Sequence, residues 1–404
     1  MNLPIQVTFA LPSLVAEGLQ DGTFERVGGV IRDVTSKKIV TWLRDSNSVA
    51  PSVISVASEG FSDVNKRLDG VENQIDSLGQ TLQGSQSILQ VSTAASILNL
   101  GVSVMGFAVI AQRLNEIENQ LKQAQELLNK INRKIDMSFY ANFRAGVELA
   151  INGFIMTKIE NRRSSALQAI NRFLEAEHIY KDYTVNELSQ KSQIIDKYIL
   201  TLSLAYIAEA RCYLELEEHE TAIRRFQEGT KVIRLLVNQY IEIMLTSNPA
   251  AYLHPQFKGQ IDLCKLTKIY RWINPTLNEN SVFDILRENI FKLAQNNNEW
   301  LSSLPSSIVD RNEISWGLFG GNPTPLTGRF EKQAFQRLPQ VFKVMESMIE
   351  TNNRFESYQT EIQAISQLGI SFHEWLQLKP STEPKLEGAE LMFIIPSQPL
   401  ELPG

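Results

Sequence analysis

The chain has 404 residues, of which 43% are hydrophobic, so there is material for two or three domains and a large core. Its 39 lysines and arginines and 45 aspartates and glutamates give a formal net charge of -6, which argues against nucleic acid as a partner. Cys212 and Cys264 lack CxxC spacing, so we predict two buried free thiols and no disulfide framework. The N-terminus lacks the order of a secretory signal, which predicts a location in the cytoplasm, or at or in a membrane.

The N-terminal element, residues 1–50, is predicted to form a small β-hairpin. A short helix around Leu11 to Leu19 precedes two strand patterns, Phe24 to Asp33 and Ile39 to Leu43. The pair Gly28-Gly29 interrupts the first strand pattern and indicates a bulge or a close backbone approach. No lysine and hydroxyl pair follows it at the start of a helix, so a phosphate loop is not predicted.

Residues 51–137 are predicted to form a coiled coil. Apolar residues alternate three and four apart in two seams, with charged residues on the other faces. The first seam contains Phe61, Val64, Leu68, Val71, Ile75, Leu78 and Leu82, and the second contains Ile110, Leu114, Ile117, Leu121, Ala124, Leu128, Ile131 and Ile135.

An apolar segment, residues 88–111, lies between the two seams, within a stretch that has no charged residue from Ser77 to Gln112. As one helix it would span the roughly 30 Å of a bilayer core. One face then carries residues suited to helix contacts inside an oligomer, namely Ser96, Asn99, Ser103 and Gly106. The opposite face, directed to lipid or core, carries Leu98, Val102, Met105 and Val109. Two short helices folded back at Asn99-Leu100-Gly101 are the alternative.

Residues 138–300 are predicted to be helical hairpins. Large and small packing residues stand at the offsets found in tetratricopeptide repeats: Tyr206, Ala210, Tyr213, Ala222, Phe226 and Gly229. This stretch, residues 203–236, resembles one tetratricopeptide unit, although Glu209 stands where that family has an apolar residue. Ala169, Phe173 and Ala176 repeat part of the pattern at an irregular spacing. The resemblance implies stacked hairpins, with Tyr213 and Phe226 in a partner-binding region.

The C-terminal third is predicted to contain a glycine- and proline-rich connection, residues 301–330, and then a long helix, residues 331–370. Pro339 predicts a kink or a restart in that helix, which is expected to lie along the coiled coil. Residues 371–404 are predicted to be extended, with Met392 to Ile395 adding a strand to the N-terminal hairpin. The two chain ends would then meet at one pole.

Catalytic and metal-binding patterns are absent from the sequence as far as spacing can show. The four histidines, His178, His219, His254 and His373, are scattered, and none has a second histidine or cysteine at metal-ligand spacing. We therefore predict a protein that is not an enzyme and has no cofactor and no bound metal.

Two functional hypotheses follow for this mainly α-helical chain. In the first, the apolar segment enters a membrane after a conformational change. In outline, residues 61–135 and the long C-terminal helix resemble helical pore-forming toxins of the cytolysin A and haemolysin BL type. In the second, the chain is an oligomeric scaffold whose coiled coil and hairpins bind a protein partner. The first predicts a homo-oligomer in contact with lipid, and the second needs no membrane.

Overall fold

The computed structural model describes residues 5–45, 86–93, 107–129, 137–245, 249–295, 301, 304–305, 308–309, 326–377 and 391–394. This part of the chain is mainly α-helical, and a small β-sheet contains segments from near both ends of the chain. The predicted fold class is therefore confirmed.

The helices, in chain order, are α1 (Ser13–Asp21), α2 (Phe107–Asn129), α3 (Ser138–Phe154), α4 (Ile159–Ser189), α5 (Ile195–Glu215), α6 (His219–Leu245), α7 (Leu263–Ile273), α8 (Glu279–Gln295), α9 (Leu326–Leu368) and α10 (Phe372–Gln377). Two 3-10 turns, Pro249–Leu253 and Pro255–Phe257, connect α6 to α7.

Helices α3 to α6 form two successive antiparallel hairpins. Helix α5 lies between α4 and α6 and also contacts α2, so it is buried on almost every side. Burial explains why apolar residues such as Ile199, Leu202 and Ala205 lie on more than one face of this helix, and the buried Glu209 is a charged exception that requires a partner. The main core is centred on this helix.

Helix α9 lies along α6 and also packs against α7 and strand β2. Helix α2, the described part of the predicted coiled coil, packs against α3 and α5. The first seam, residues 61–82, lies outside the described residues, so the prediction that α9 lies along the coiled coil stays a prediction. Aromatic contacts hold α9 against α5 and α6, because the Phe355 ring lies 5.7 Å from the Phe226 ring and 6.4 Å from the Tyr206 ring. The helix continues through Pro339 without a restart, with Leu338 and Phe342 buried on either side of the proline.

The sheet has six strands in the order β2-β3-β4-β6-β1-β5. They are β1 (Ile5–Pro12), β2 (Phe24–Val27), β3 (Val30–Asp33), β4 (Ile39–Asp45), β5 (Gln86–Thr93) and β6 (Leu391–Ile394). Strand β6 pairs antiparallel with β4 and parallel with β1, where Phe9 is opposite Leu391. The prediction that the C-terminal segment adds a strand to the N-terminal element is thus confirmed. Helix α10 occupies Phe372–Gln377, however, so the prediction that residues 371–404 are extended is wrong at their start.

The glycine pair at Gly28-Gly29 is a turn between β2 and β3, where the sequence predicted one strand from Phe24 to Asp33. Gly28 has a φ of +56°, a conformation that side chains with a Cβ rarely adopt. A Cβ on Gly28 would lie 2.7 Å from the carbonyl oxygen of Asn353 in α9. The close backbone approach indicated by the glycines is therefore real.

Strand β5 corrects the prediction that the apolar segment is helical throughout. Gln86–Thr93 forms an antiparallel ladder with β1, from Ile5 opposite Thr93 to Pro12 opposite Gln86. Residues 88–93 therefore belong to a strand, whereas α2 begins at Phe107. Pairing with β1 satisfies the backbone groups that face this partner, and the β-branched Ile88, Val91 and Thr93 suit the extended conformation.

Cys212 and Cys264 are both free, but only Cys212 is buried. Cys264 is exposed in the first turn of α7, two residues after the N-cap Asp262. The prediction of two buried thiols is therefore wrong for Cys264. The exposed face of the amphipathic helix α7 includes this position, which periodicity in so short a helix did not reveal.

Three contacts join the sheet to the helices. The Arg26 guanidinium of β2 donates to Glu350 of α9 at 2.9 and 3.0 Å. Trp42 of β4 and Trp375 of α10 meet edge to face, with ring centroids 5.3 Å apart. With the approach of Gly28 to α9, these contacts fix β2 and its neighbouring strands beside the α7 and α9 surface.

Candidate functional site

A cleft of about 410 Å³ lies where α7, α9 and β2 meet. Helix α7 contributes residues at helical spacing, Lys265, Lys268, Ile269 and Trp272, so all four are on one face. Helix α9 contributes Lys343, Glu346, Ile349, Glu350 and Asn353, and Arg26 of β2 also lines the cleft. We call this site the lysine cleft.

Cations outnumber carboxylates at the lysine cleft. Glu346 is only partly exposed, and its burial raises the pKa of its carboxyl group although Lys265, Lys268 and Lys343 oppose the rise. Glu350 has a lowered pKa because the charges of Arg26 and Arg354 outweigh its burial. Glu346 thus faces three lysines, and Glu350 is shared by two arginines. The cleft therefore has an excess of positive charge that a ligand could neutralise.

The cleft also has an apolar wall. The Arg234 guanidinium stacks on the Trp272 ring at 4.4 Å and donates to the Trp272 carbonyl oxygen at 2.8 Å, which holds the indole in place. Ile269 and Ile349 add aliphatic surface. The indole N–H of Trp272 is buried and has no acceptor among the described residues. The site therefore offers positive charges beside an apolar surface.

Eight residues of the apolar segment were predicted to face lipid, core or neighbouring helices. Seven of them lie outside the described residues: Ser96, Leu98, Asn99, Val102, Ser103, Met105 and Gly106. Val109 falls in the first turn of α2. Their assignment to lipid-facing and helix-facing sets stays a prediction.

The tetratricopeptide-like unit forms the predicted hairpin, α5 and α6. A Cβ on Gly229 would lie 3.0 Å from the rings of both Tyr206 and Phe355, so the glycine permits close helix packing. Phe226 is fully buried against Phe355 and Tyr358. Its prediction as a partner-contacting residue is corrected, because α9 already covers it. Tyr213 is only partly buried.

Glu209, the departure from the repeat pattern, belongs to a buried carboxyl cluster with Glu177 and Arg225. Arg225 donates to Glu209 at 2.6 Å and to Glu177, and it also reaches the exposed Glu228. Burial, and then the proximity of Glu209, raise the pKa of the Glu177 carboxyl group. The unusual glutamate therefore has a charged partner, Arg225, on the next helix and a carboxyl neighbour, Glu177, whose pKa is raised.

The carboxyl cluster predicts a pH dependence of stability. The raised pKa means that the folded chain keeps a proton which the unfolded chain releases as the pH rises above the ordinary carboxyl range. The contribution of Glu177 to stability is thus largest at low pH and falls as the pH rises. In Glu177→Gln, the slope of unfolding free energy between about pH 5 and about pH 8 should be shallower by up to about 1 kcal/mol per pH unit.

Urea unfolding at these two pH values measures the slope. Glu175→Gln, a change at an exposed carboxylate on the same helix, is the control and should leave the slope as in the wild type. An unchanged slope in Glu177→Gln would contradict the protonated state of the cluster.

Sequence reasoning missed the lysine cleft and the carboxyl cluster. The spacing of Lys265, Lys268 and Trp272 is a visible signal for one helix face, but it does not reveal that Lys343 lies across from it. Glu209 was visible as an exception, and its partner Arg225 lies on the following helix of the same unit.

Comparison with protein-family models, curated protein sequences and solved structures gives no match for this chain. Among the described residues, no cluster of histidine, cysteine, aspartate and glutamate has a metal-binding arrangement. Within that same part of the chain, no helix combines the length and the apolar character that crossing a bilayer requires.

Proposed function

We propose that this protein is a non-enzymatic interaction protein that binds an acidic segment of a partner protein in the lysine cleft. One observation carries the proposal. Lys265 and Lys268 on α7 line the same cleft as Lys343 on α9, and this cleft has an apolar wall. Carboxylate side chains of a partner would meet the lysines, and its aliphatic or aromatic groups would rest on Trp272.

A protein segment is favoured because the two outer lysines are at the surface. Lys268 and Lys343 are exposed, whereas Glu350 and Ile269 are buried at the base. Exposed cations steer an oppositely charged chain toward the site, and the apolar base holds one anchoring side chain. The hairpin of α5 and α6 contacts α9 and keeps the wall of the cleft in position.

The test uses a fluorescein-labelled oligoglutamate peptide and fluorescence anisotropy. Lys268→Glu with Lys343→Glu reverses two charges at the cleft, so we expect the affinity for this probe to fall by at least about tenfold. Binding to the wild type should also weaken as salt is added, because exposed charges are screened. Lys181→Glu with Lys332→Glu, two exposed lysines away from the cleft, should bind as the wild type does.

An equal affinity of the cleft variant and the control variant would overturn the proposal. The same would follow if the wild type bound oligoglutamate no better than inorganic phosphate at equal charge concentration. Circular dichroism of each variant shows whether the helical fold is kept.

Membrane insertion of residues 88–111, as a pore-forming or toxin-like homo-oligomer, is the second candidate. It is favoured by the uncharged stretch from Ser77 to Gln112. Strand β5 is at the edge of the sheet, so its release breaks the ladder with β1 and the packing of α1 against β5, and it leaves the other described strand pairs in place. Dye release from liposomes that is lost in Val102→Asp would support this candidate, because a charge at the bilayer centre is costly.

A further inference from the structure

The connection between α3 and α4 exposes apolar side chains beside cations. Ile159 and Ile155 are 70% and 66% exposed, the highest values among the large hydrophobic residues that the structure describes. Met156 is also exposed, and Lys158 and Arg163 are exposed within the same stretch. We call these five residues the α3–α4 tip. Folding alone gives no reason for two isoleucines to face water in so short a loop.

The tip has a firm base. Helices α3 and α4 approach so closely at Gly153 that a Cβ there would lie 2.4 Å from the Cβ of Ser165. The Met156 amide donates to the Gly153 carbonyl at 3.1 Å, and the amides of Asn161 and Arg162 donate to the Lys158 carbonyl. The loop backbone is thus held by hydrogen bonds at both ends, and its side chains point away from a packed hairpin.

The charge at the tip is positive. Lys158, Arg162 and Arg163 lie close in sequence to one carboxylate, Glu160. In the part of the chain that the structure describes, none of these three cations takes part in an ion pair. Their charge is therefore available to an anionic surface.

The tip also extends beyond the neighbouring acidic loop. Helix α4 has 31 residues and α5 has 21, and the two run antiparallel from the turn at residues 190–194. At about 1.5 Å per residue, the start of α4 lies about 15 Å past the end of α5. Glu217 and Glu218, in the loop after α5, are set back by that distance. A flat surface can thus reach the tip before it meets those carboxylates.

We infer that the α3–α4 tip docks on the surface of a membrane that contains anionic lipid. Ile155, Met156 and Ile159 enter the boundary between headgroups and acyl chains, while Lys158 and Arg163 contact the headgroup phosphates and carboxylates. Exposed apolar side chains flanked by cations match this surface in both respects. Docking by the tip requires no spanning helix and is separate from the lysine cleft.

Co-sedimentation of the full chain with vesicles tests the inference. We expect binding to vesicles of phosphatidylcholine with phosphatidylserine, little binding to phosphatidylcholine alone, and loss of binding as salt is added. Ile155→Ser with Ile159→Ser should lower the bound fraction at least about fivefold, because each change removes apolar surface from the lipid boundary. Val185→Ser with Leu235→Ser, at side chains 53% and 60% exposed elsewhere, is the matched control and should bind as the wild type does.

Several results would overturn the inference. One is wild-type protein that stays in solution with the anionic vesicles, and another is a tip variant that binds these vesicles as the control variant does. A third is light scattering without lipid that shows an oligomer for the wild type and a monomer for the tip variant. The last would assign the tip to a second copy of the chain. Val102→Asp should keep tip-dependent binding, which separates docking from insertion of residues 88–111.

Discussion

Arg225→Ala is expected to lower the free energy of unfolding by about 3–5 kcal/mol. The Arg225 side chain is only 12% exposed and neutralises Glu209, which is fully buried. Without the guanidinium, Glu209 and Glu177 would share a dry interior between α4, α5 and α6 with no cation to stabilise the charge. The cost of an uncompensated buried charge is larger than the value of most surface ion pairs.

Urea unfolding followed by circular dichroism measures this loss. Arg224→Ala is the matched control, because Arg224 is the adjacent arginine on α6 and is exposed. The control should change stability by less than about 0.5 kcal/mol. A loss of the same small size in Arg225→Ala would show that the carboxyl cluster is unimportant for folding.

Gly28→Ala is expected to destabilise the fold by about 3 kcal/mol. Two effects combine in this substitution. The φ of +56° is unfavourable for alanine, and the new Cβ would lie 2.7 Å from the Asn353 carbonyl and 2.9 Å from the Arg354 Cα. Backbone atoms in the middle of a packed helix cannot move aside as a flexible side chain can, so β2 must shift away from α9.

Gly22→Ala separates the two effects. Gly22 has a φ of +83°, but nothing lies within 4 Å of a Cβ built there, so this variant should cost only about 1 kcal/mol. Thermal or urea unfolding of both variants gives the comparison. Equal losses would mean that the contact of β2 with α9 is softer than the distances indicate.

Much of the fold could be predicted from local sequence patterns. The large and small residues of the tetratricopeptide-like unit predicted the α5 and α6 hairpin, and Gly28-Gly29 predicted the close approach that α9 provides. The apolar residues of α9 predicted its length through the alternation of buried positions such as Leu338, Phe342 and Met345. Each of these signals depends on neighbours within a few turns of one element.

Features that join distant segments were not predictable in the same way. Strand β5 acquires its conformation from β1, which lies far away in the sequence, and its residues alone fit a helix as well. The lysine cleft requires Lys343 to lie across from Lys268, and that depends on how α9 packs along α6. Pairing and docking of this kind follow from tertiary packing, which periodicity does not encode.

The position of β6 has a consequence for the order of events during synthesis. Strand β6 lies between β4 and β1, so residues 391–394 join two groups of strands that are made long before them. On the ribosome, β1 and β4 are made well before β6, and each has an edge without this neighbour until residues 391–394 have been translated. The hairpins α3 to α6 depend on local contacts and can form first, whereas closure of the sheet is a late step.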